Sequence, residues 1–223
     1  MAEIDFDELG VYQRYKLMAS LIVPRPIALV TTLSEGGVVN AAPFSMFNML
    51  GEEPPIVMIS VNRLYDGAQK DTATNIARTQ EFVVHLADEA MAQQMHDCGE
   101  RVPVHMSEVD KVGLTTAPST FVAPPRIVEA PVAFECRLWE TLTTDSRQIF
   151  IGRVLALHAR DGLIDTAAWR VRLQEYFPVA RFGASFYIRT RDRFAMESAQ
   201  ARAVTSIDEM WNSPPLLPAS RDA

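Results

Sequence analysis

The apolar positions of this chain change period several times, and each change marks an element. Between Phe6 and Ser20, Val11, Tyr12, Tyr15 and Met18 recur at helical spacing, which predicts a lead-in helix. From Ile27 the pattern switches. Ile27-Ala28-Leu29-Val30-Thr31-Thr32-Leu33 is rich in strand formers and stops at Glu35-Gly36-Gly37, and Val38-Val39-Asn40-Ala41 returns, so a β-hairpin is expected. Pro54-Pro55 opens another buried strand, Ile56 to Val61. A helix is expected from Asp71 to about Thr79, a strand from Glu81 to Leu86, and a second helix from Asp88 to Gly99 with Asp88 as its cap. Residues 100–126 read as irregular connection. From Ala130, the apolar residues Val132, Phe134, Cys136 and Leu138 alternate with polar or small ones in a half-buried strand. Its partner, Arg147 to Arg160, ends at the Asp161-Gly162 turn, and Ala184 to Arg189 is a last short strand. Many strands, hairpin turns and few helices imply a mainly β protein, an antiparallel barrel rather than a βαβ sheet. The pattern fades after about Arg193. Residues 1–195 therefore read as one domain, and residues 196–223 as a tail, disordered or packed on a partner subunit.

Composition narrows the partners. The chain has 223 residues, 48% of them apolar, enough for a sizeable core, and a net charge of −7 with no basic block. That balance argues against nucleic acid and against an anionic membrane surface. An anionic ligand would have to be held by a local cluster working against the overall field. The apolar runs are too short to span a bilayer, and the acidic N-terminus lacks a signal peptide's features. Two cysteines, Cys98 and Cys136, suit a reducing compartment, so a cytoplasmic protein is expected.

Three segments carry candidate chemistry. Lys70-Asp71-Thr72-Ala73-Thr74-Asn75 reads as a helix start, with Asp71 or Thr72 as N-cap and Thr72 and Asn75 three apart on one face. A helix start leaves about four backbone N–H groups without internal partners and carries roughly half a positive charge. With the ammonium of Lys70 added, these donors suit a dianionic phosphate. In Asn40-Ala41-Ala42-Pro43-Phe44-Ser45-Met46-Phe47-Asn48, small residues let a flat ligand approach the backbone. Ser45 adds a hydroxyl, while Phe44, Met46 and Phe47 supply apolar area. Pro24-Arg25-Pro26 restrains the backbone around a guanidinium suited to a phosphate or an electron-rich ring edge. No acid–base dyad stands out as catalytic. His96-x-Cys98 with His105 matches no zinc spacing, so no metal site is expected. His158 reads as a satisfied core or edge histidine, and Cys136 as a buried, inert thiol.

Taken in order, these motifs resemble the flavin reductase-like family with the FMN-binding split-barrel fold. The likeness rests on Arg14-Tyr15-Lys16-Leu17, Val23-Pro24-Arg25-Pro26-Ile27-Ala28, Asn40-x-Ala42-Pro43-Phe44-Ser45-x-Phe47 and Pro54-Pro55. It continues through Lys70-Asp71-Thr72-x-x-Asn75-Ile76, Glu81-Phe82-Val83-Val84, Pro124-Pro125-Arg126-Ile127, Glu129-x-Pro131-Val132-Ala133-x-Glu135-Cys136, Ile151-Gly152-x-Val154 and Arg181-Phe182-Gly183. It covers roughly residues 12–195. The resemblance implies an antiparallel Greek-key split barrel, a homodimer, and one FMN per subunit near the interface, with FAD as the other flavin to consider. It implies that Lys70, Asp71, Thr72 and Asn75 take the phosphate. Ala42, Pro43, Phe44, Ser45 and Phe47 would line the ring, with Thr31 and Thr32 at the adjacent strand end. Arg25 and Arg181 are the cations expected near N1 of the reduced ring.

The implied activity passes electrons from NAD(P)H, bound transiently because no G-x-G-x-x-G fingerprint is present, or from another donor, through flavin to a small-molecule acceptor or a partner monooxygenase. A non-catalytic flavin-binding carrier or sensor is the alternative. One departure is His85, which stands where the family usually has Asn.

Overall fold

The computed structural model describes residues 1–103 and 105–194. The first helix, α1, spans Val11–Leu21, and seven strands build the main sheet. They are β1 (Ala28–Leu33), β2 (Val39–Phe44), β3 (Phe47–Glu52), β4 (Pro55–Asn62), β5 (Glu81–Leu86), β6 (Val132–Thr143) and β7 (Arg147–Ala159). Their order is β2-β1-β5-β6-β7-β4-β3, with every neighbouring pair antiparallel. The two edge strands, β2 and β3, are consecutive in the chain and separated only by Ser45-Met46. A sheet whose opposite edges are joined by two residues has to curl on itself, and the Ser60 N–H donating to the Met46 carbonyl at 2.8 Å ties that corner. Ser45 therefore sits at the closing corner of the barrel.

Strand β1 shows why an unbroken apolar run belongs here. Ala28 and Val30 enter a core with Val57, Ile59, Ile76, Phe82 and Phe150, while Ile27 and Leu29 face a second core with Met91, Met95, Val109 and Ile127. Both faces are covered, so alternation vanishes. Helix α2 (Asp71–Thr79) lies between β4 and β5 and buries Thr72, Ala73, Asn75 and Ile76. It stops where Gln80 adopts φ +62, a left-handed turn whose N–H bonds back to Ile76 O at 2.9 Å. At the bulge between Ile151 and Gly152, a Cβ on Gly152 would lie 2.3 Å from Phe82 Cζ, so the glycine makes room for a core ring.

Several expectations need correcting. Helix α1 begins at Val11, after Gly10, whose N–H donates to the Gln13 side chain at 2.9 Å, rather than at Phe6. The single helix expected over 88–99 divides into a 3-10 turn, Glu89–Met91, capped by Asp88, and α3 (Ala92–Asp97). The stretch read as irregular holds α4 (Glu108–Lys111) and a short strand, Thr116–Ala117. A strand that periodicity missed, β8 (Val179–Gly183), pairs with Arg25–Pro26 on one side and with β9 (Phe186–Arg189) on the other. The tail expected over 196–223 lies outside the described residues. No described helix is long and apolar enough to cross a membrane.

Candidate functional site

Lys70 is the residue preceding α2, and its backbone, not a side chain of Asp71 or Thr72, occupies the cap position: the Thr74 N–H donates to its carbonyl at 3.1 Å. The amides of Asp71, Thr72 and Ala73 precede that first intrahelical bond. The Lys70 ammonium stands 5.8 Å from the Phe44 ring centroid. Burial lowers its pKa, and the nearby positive charges of Arg147 and Arg101 lower it further. Arg147 is itself pushed down by burial; its Nη1 donates to Ser60 O at 3.3 Å, and its guanidinium lies 5.9 Å from the Tyr15 ring. Sequence reasoning missed Arg147. It is the first residue of β7, and only the antiparallel register that sets it opposite Asn62 brings it beside Lys70's side of the barrel.

A second cation stands at the barrel corner. Arg25 Nη1 donates to the carbonyls of Ala19 and Ile22, the latter at 2.8 Å, and so closes the C-terminal end of α1. Its Nε reaches Ser45 Oγ at 3.4 Å, a long contact. Burial lowers the Arg25 pKa, Tyr15 raises it, and Arg181 lowers it again. Arg181 is directly opposite Arg25 in the β8 ladder, and it stacks 4.7 Å over Tyr187 while donating to Ala184 O. Among the described residues, none of Arg25, Lys70, Arg147 or Arg181 forms an ion pair. In a chain of net charge −7, that concentration of uncompensated cations is the electrostatic mark of an anion site. Beside it lies an open cavity of about 550 Å³, walled by Tyr12, Tyr15, Arg25, Pro43, Ser45 and Tyr187 among others.

The remaining expected residues divide. Thr72 and Asn75 share a helix face as predicted, but both are buried. Asn40 Nδ2 donates to Thr72 Oγ1 at 3.1 Å, and Asn75 Nδ2 donates to Thr32 Oγ1 at 3.0 Å. These two bonds seat the start of α2 on β1 and β2. Thr31 is fully buried and donates to Pro125 O at 2.6 Å. Phe44 belongs to the barrel core, against which Ala42 and Phe47 also pack. Asp71 is exposed and faces, with Asn75, a smaller pocket of about 200 Å³ that also contains Glu108. Glu108 accepts from the Ala41 N–H at 2.9 Å; burial raises its pKa, and that bond draws it back. Ser45 thus lines a different cavity from Asp71.

Elsewhere, the residues set aside as structural have partners within the fold. His85, which replaces an expected Asn, is fully buried; its Nδ1 donates to Leu29 O at 2.9 Å, and its Nε2 accepts from the Ile127 N–H at 2.8 Å. His158 Nε2 lies 2.6 Å from Glu135 Oε1. Cys136 is buried, and burial raises its pKa. The described residues contain no group of three or more His, Cys, Asp or Glu able to hold a metal; His96 instead bonds Tyr187, and Cys98 is pushed up to about 12, chiefly by burial.

Comparison with known proteins places this geometry. The family model "Flavin reductase like domain" matches residues 18–175. The structure is similar to that of the 2-nitrobenzoate 2-nitroreductase of Pseudomonas fluorescens, at 35% identity and TM-score 0.80, covering 98% of this chain and 100% of that one. Nitrilotriacetate monooxygenase component B from Bacillus cereus is 31% identical with TM-score 0.82, over 88% of this chain and 98% of its own. A putative flavin reductase with a split-barrel domain from Shewanella frigidimarina, at 21% identity and TM-score 0.74 over 86% and 94%, shows the same fold.

Proposed function

This chain belongs to the flavin reductase-like family, and from that membership we propose that it is an FMN-dependent oxidoreductase drawing electrons from NAD(P)H. The observation that supports this reading best is the set of half-buried cations without counter-charges among the described residues, Lys70 with Arg147 and Arg25, beside an open cavity. A dianionic phosphate held by Lys70, Arg147 and the first amides of α2 supplies the missing charge. Thr72 and Asn75 support that site by fixing where α2 begins. Pro43 and Ser45 then meet the ring at the barrel corner, with Arg25 orienting the Ser45 hydroxyl. Flavin, when bound, supplies two-electron transfer; the protein's own residues bind it and leave one face open.

The acceptor is a small organic molecule, or flavin electrons are passed to a partner monooxygenase; the nitroreductase and the monooxygenase component among the similar structures support these two choices. A homodimer fits α1, whose Val11, Tyr12, Tyr15, Met18 and Leu21 are exposed.

A visible absorption spectrum of protein incubated with FMN and desalted, before and after anaerobic NADH or NADPH, tests the reading. Retained flavin that bleaches supports a reductase. Retained flavin that persists turns the reading to a carrier or sensor, and no retained flavin refutes the phosphate site.

A further inference from the structure

The cavity beside α1 does not end at Pro43 and Ser45. It continues to Arg181, which the family resemblance expects near the reduced ring, and to Tyr187 and His96, to which the flavin reading gives no role. Three features of this far end point to one kind of ligand. The first is charge. Among the described residues, Lys16, Arg25 and Arg181 line the cavity against a single carboxylate, Glu100, and that one is already paired with Lys111 at 2.8 Å. The second is shape. Tyr12 and Tyr15 are three residues apart on α1 and share a helix face, and Tyr187 adds a third aromatic ring to the same walls. Such walls favour a flat molecule.

The third is restraint. The Arg181 guanidinium lies 4.7 Å over the Tyr187 ring, and one of its nitrogens is tied to the Ala184 carbonyl. A guanidinium held flat in this way keeps N–H groups on its other edge for a bidentate anion. The Tyr187 hydroxyl is held in turn by His96 Nδ1 at 2.8 Å, with the two rings edge to face at 5.7 Å and 87°. The bond joins α3 to β9, elements far apart in the chain, at the partly exposed rim of the second core, against which Tyr187 packs.

We propose that the Arg181–Tyr187–His96 end of the cavity is a subsite for a planar organic anion, an aromatic carboxylate in chemical class, adjacent to the flavin. Arg181 takes the carboxylate, the tyrosines flank the ring, and His96 acts as a positioning residue that orients Tyr187. The adjacency rests on the flavin reading; the anion chemistry does not.

Calorimetric titration of benzoate into FMN-loaded protein tests this, with FMN titrations on the same variants as a separate readout. Saturable binding is expected, with neutral benzamide and the Arg181→Gln variant each about tenfold weaker, the scale of one charge-assisted hydrogen bond. Arg181→Lys should recover only part of the loss, and His96→Ala and Tyr187→Phe should weaken benzoate while leaving FMN affinity unchanged. The proposal is overturned if benzoate fails to bind, if it displaces FMN, or if benzamide binds as tightly. It is also overturned if Arg181→Gln weakens a reduced nicotinamide dinucleotide but not benzoate, which would make this the donor's subsite. Should the wild-type chain take up no FMN, the flavin reading falls alone, and benzoate titration of the flavin-free protein still decides the subsite.

Discussion

Buried polar groups meet opposite conditions in two regions of this barrel. In the wall formed by β5, β6 and β7, Glu135 is fully buried, yet both oxygens are used. Oε1 accepts from the Thr120 N–H at 2.7 Å and meets His158 Nε2 at 2.6 Å, and Oε2 accepts from the Phe121 N–H at 2.6 Å. Burial pushes its pKa up, but the two backbone bonds and His158 together outweigh that, and it ends below the ordinary value. His85, on the adjacent strand β5, has a donor and an acceptor for its two nitrogens. Around the start of α2 and the end of α1, by contrast, Lys70, Arg147 and Arg25 lose solvent and gain no carboxylate among the described residues. A group that is buried and satisfied belongs to the architecture. A charge that is desolvated without a counter-charge marks the place where a ligand completes the electrostatics.

The comparison can be broken by experiment, and the largest effect is expected in the satisfied region. Glu135→Ala leaves two N–H groups and His158 without their acceptor and should cost about 3–5 kcal/mol of stability, read from the denaturant midpoint. FMN affinity of the folded fraction should not change; a selective loss of FMN would place Glu135 in the site instead. Acid comes next. Burial pushes His85 down to about 4, against about 6.5 in an unfolded chain, so the unfolded state binds the proton first. Stability is complete above about pH 6.5 and falls as the pH drops toward 4, by about 3 kcal/mol from this residue. Denaturant midpoints measured across that range check it, and His85→Asn should flatten the slope.

In the unsatisfied region the expected signs differ. Lys70→Ala and Arg147→Ala should each weaken FMN by about 1–3 kcal/mol while leaving stability unchanged or slightly higher, because each removes a desolvated cation from a cluster of like charge. Equal FMN titrations for variant and wild type would remove either residue from the site. The smallest effect belongs to Ser45→Ala, whose hydroxyl has, among the described residues, only the long Arg25 contact at 3.4 Å. A change confined to the flavin absorption band or midpoint potential is expected, and no change in either would end its assignment to the ring.

Much of this architecture was legible from periodicity. The hairpin of β1 and β2, the limits of α2 at Asp71 and Thr79, and the β6–β7 pair follow from local apolar spacing and turn residues. Cys136 on the apolar side of its strand and His158 as a satisfied histidine were legible for the same reason. Strand β8 was not, because its ladder with Arg25–Pro26 joins distant segments and its five residues carry no alternation of their own. The candidate site was half legible. Lys70 and Ser45 stand in motifs that announce a helix start and a small-residue strand. Arg147 stands in none.

Local sequence by itself determined most of the strands and helices, and that a cationic helix start is present. These depend on interactions within a few residues, so they can be read in order along the chain. Tertiary structure alone decided what those elements present. Curling the sheet through Ser45-Met46 turned Thr72 and Asn75 inward to bond Asn40 and Thr32, and it set Arg147 beside Lys70 and Arg25 opposite Arg181. The physical reason is that charge–charge and hydrogen-bond energies depend on separation in space, which strand register and barrel closure impose and no spacing along the chain encodes.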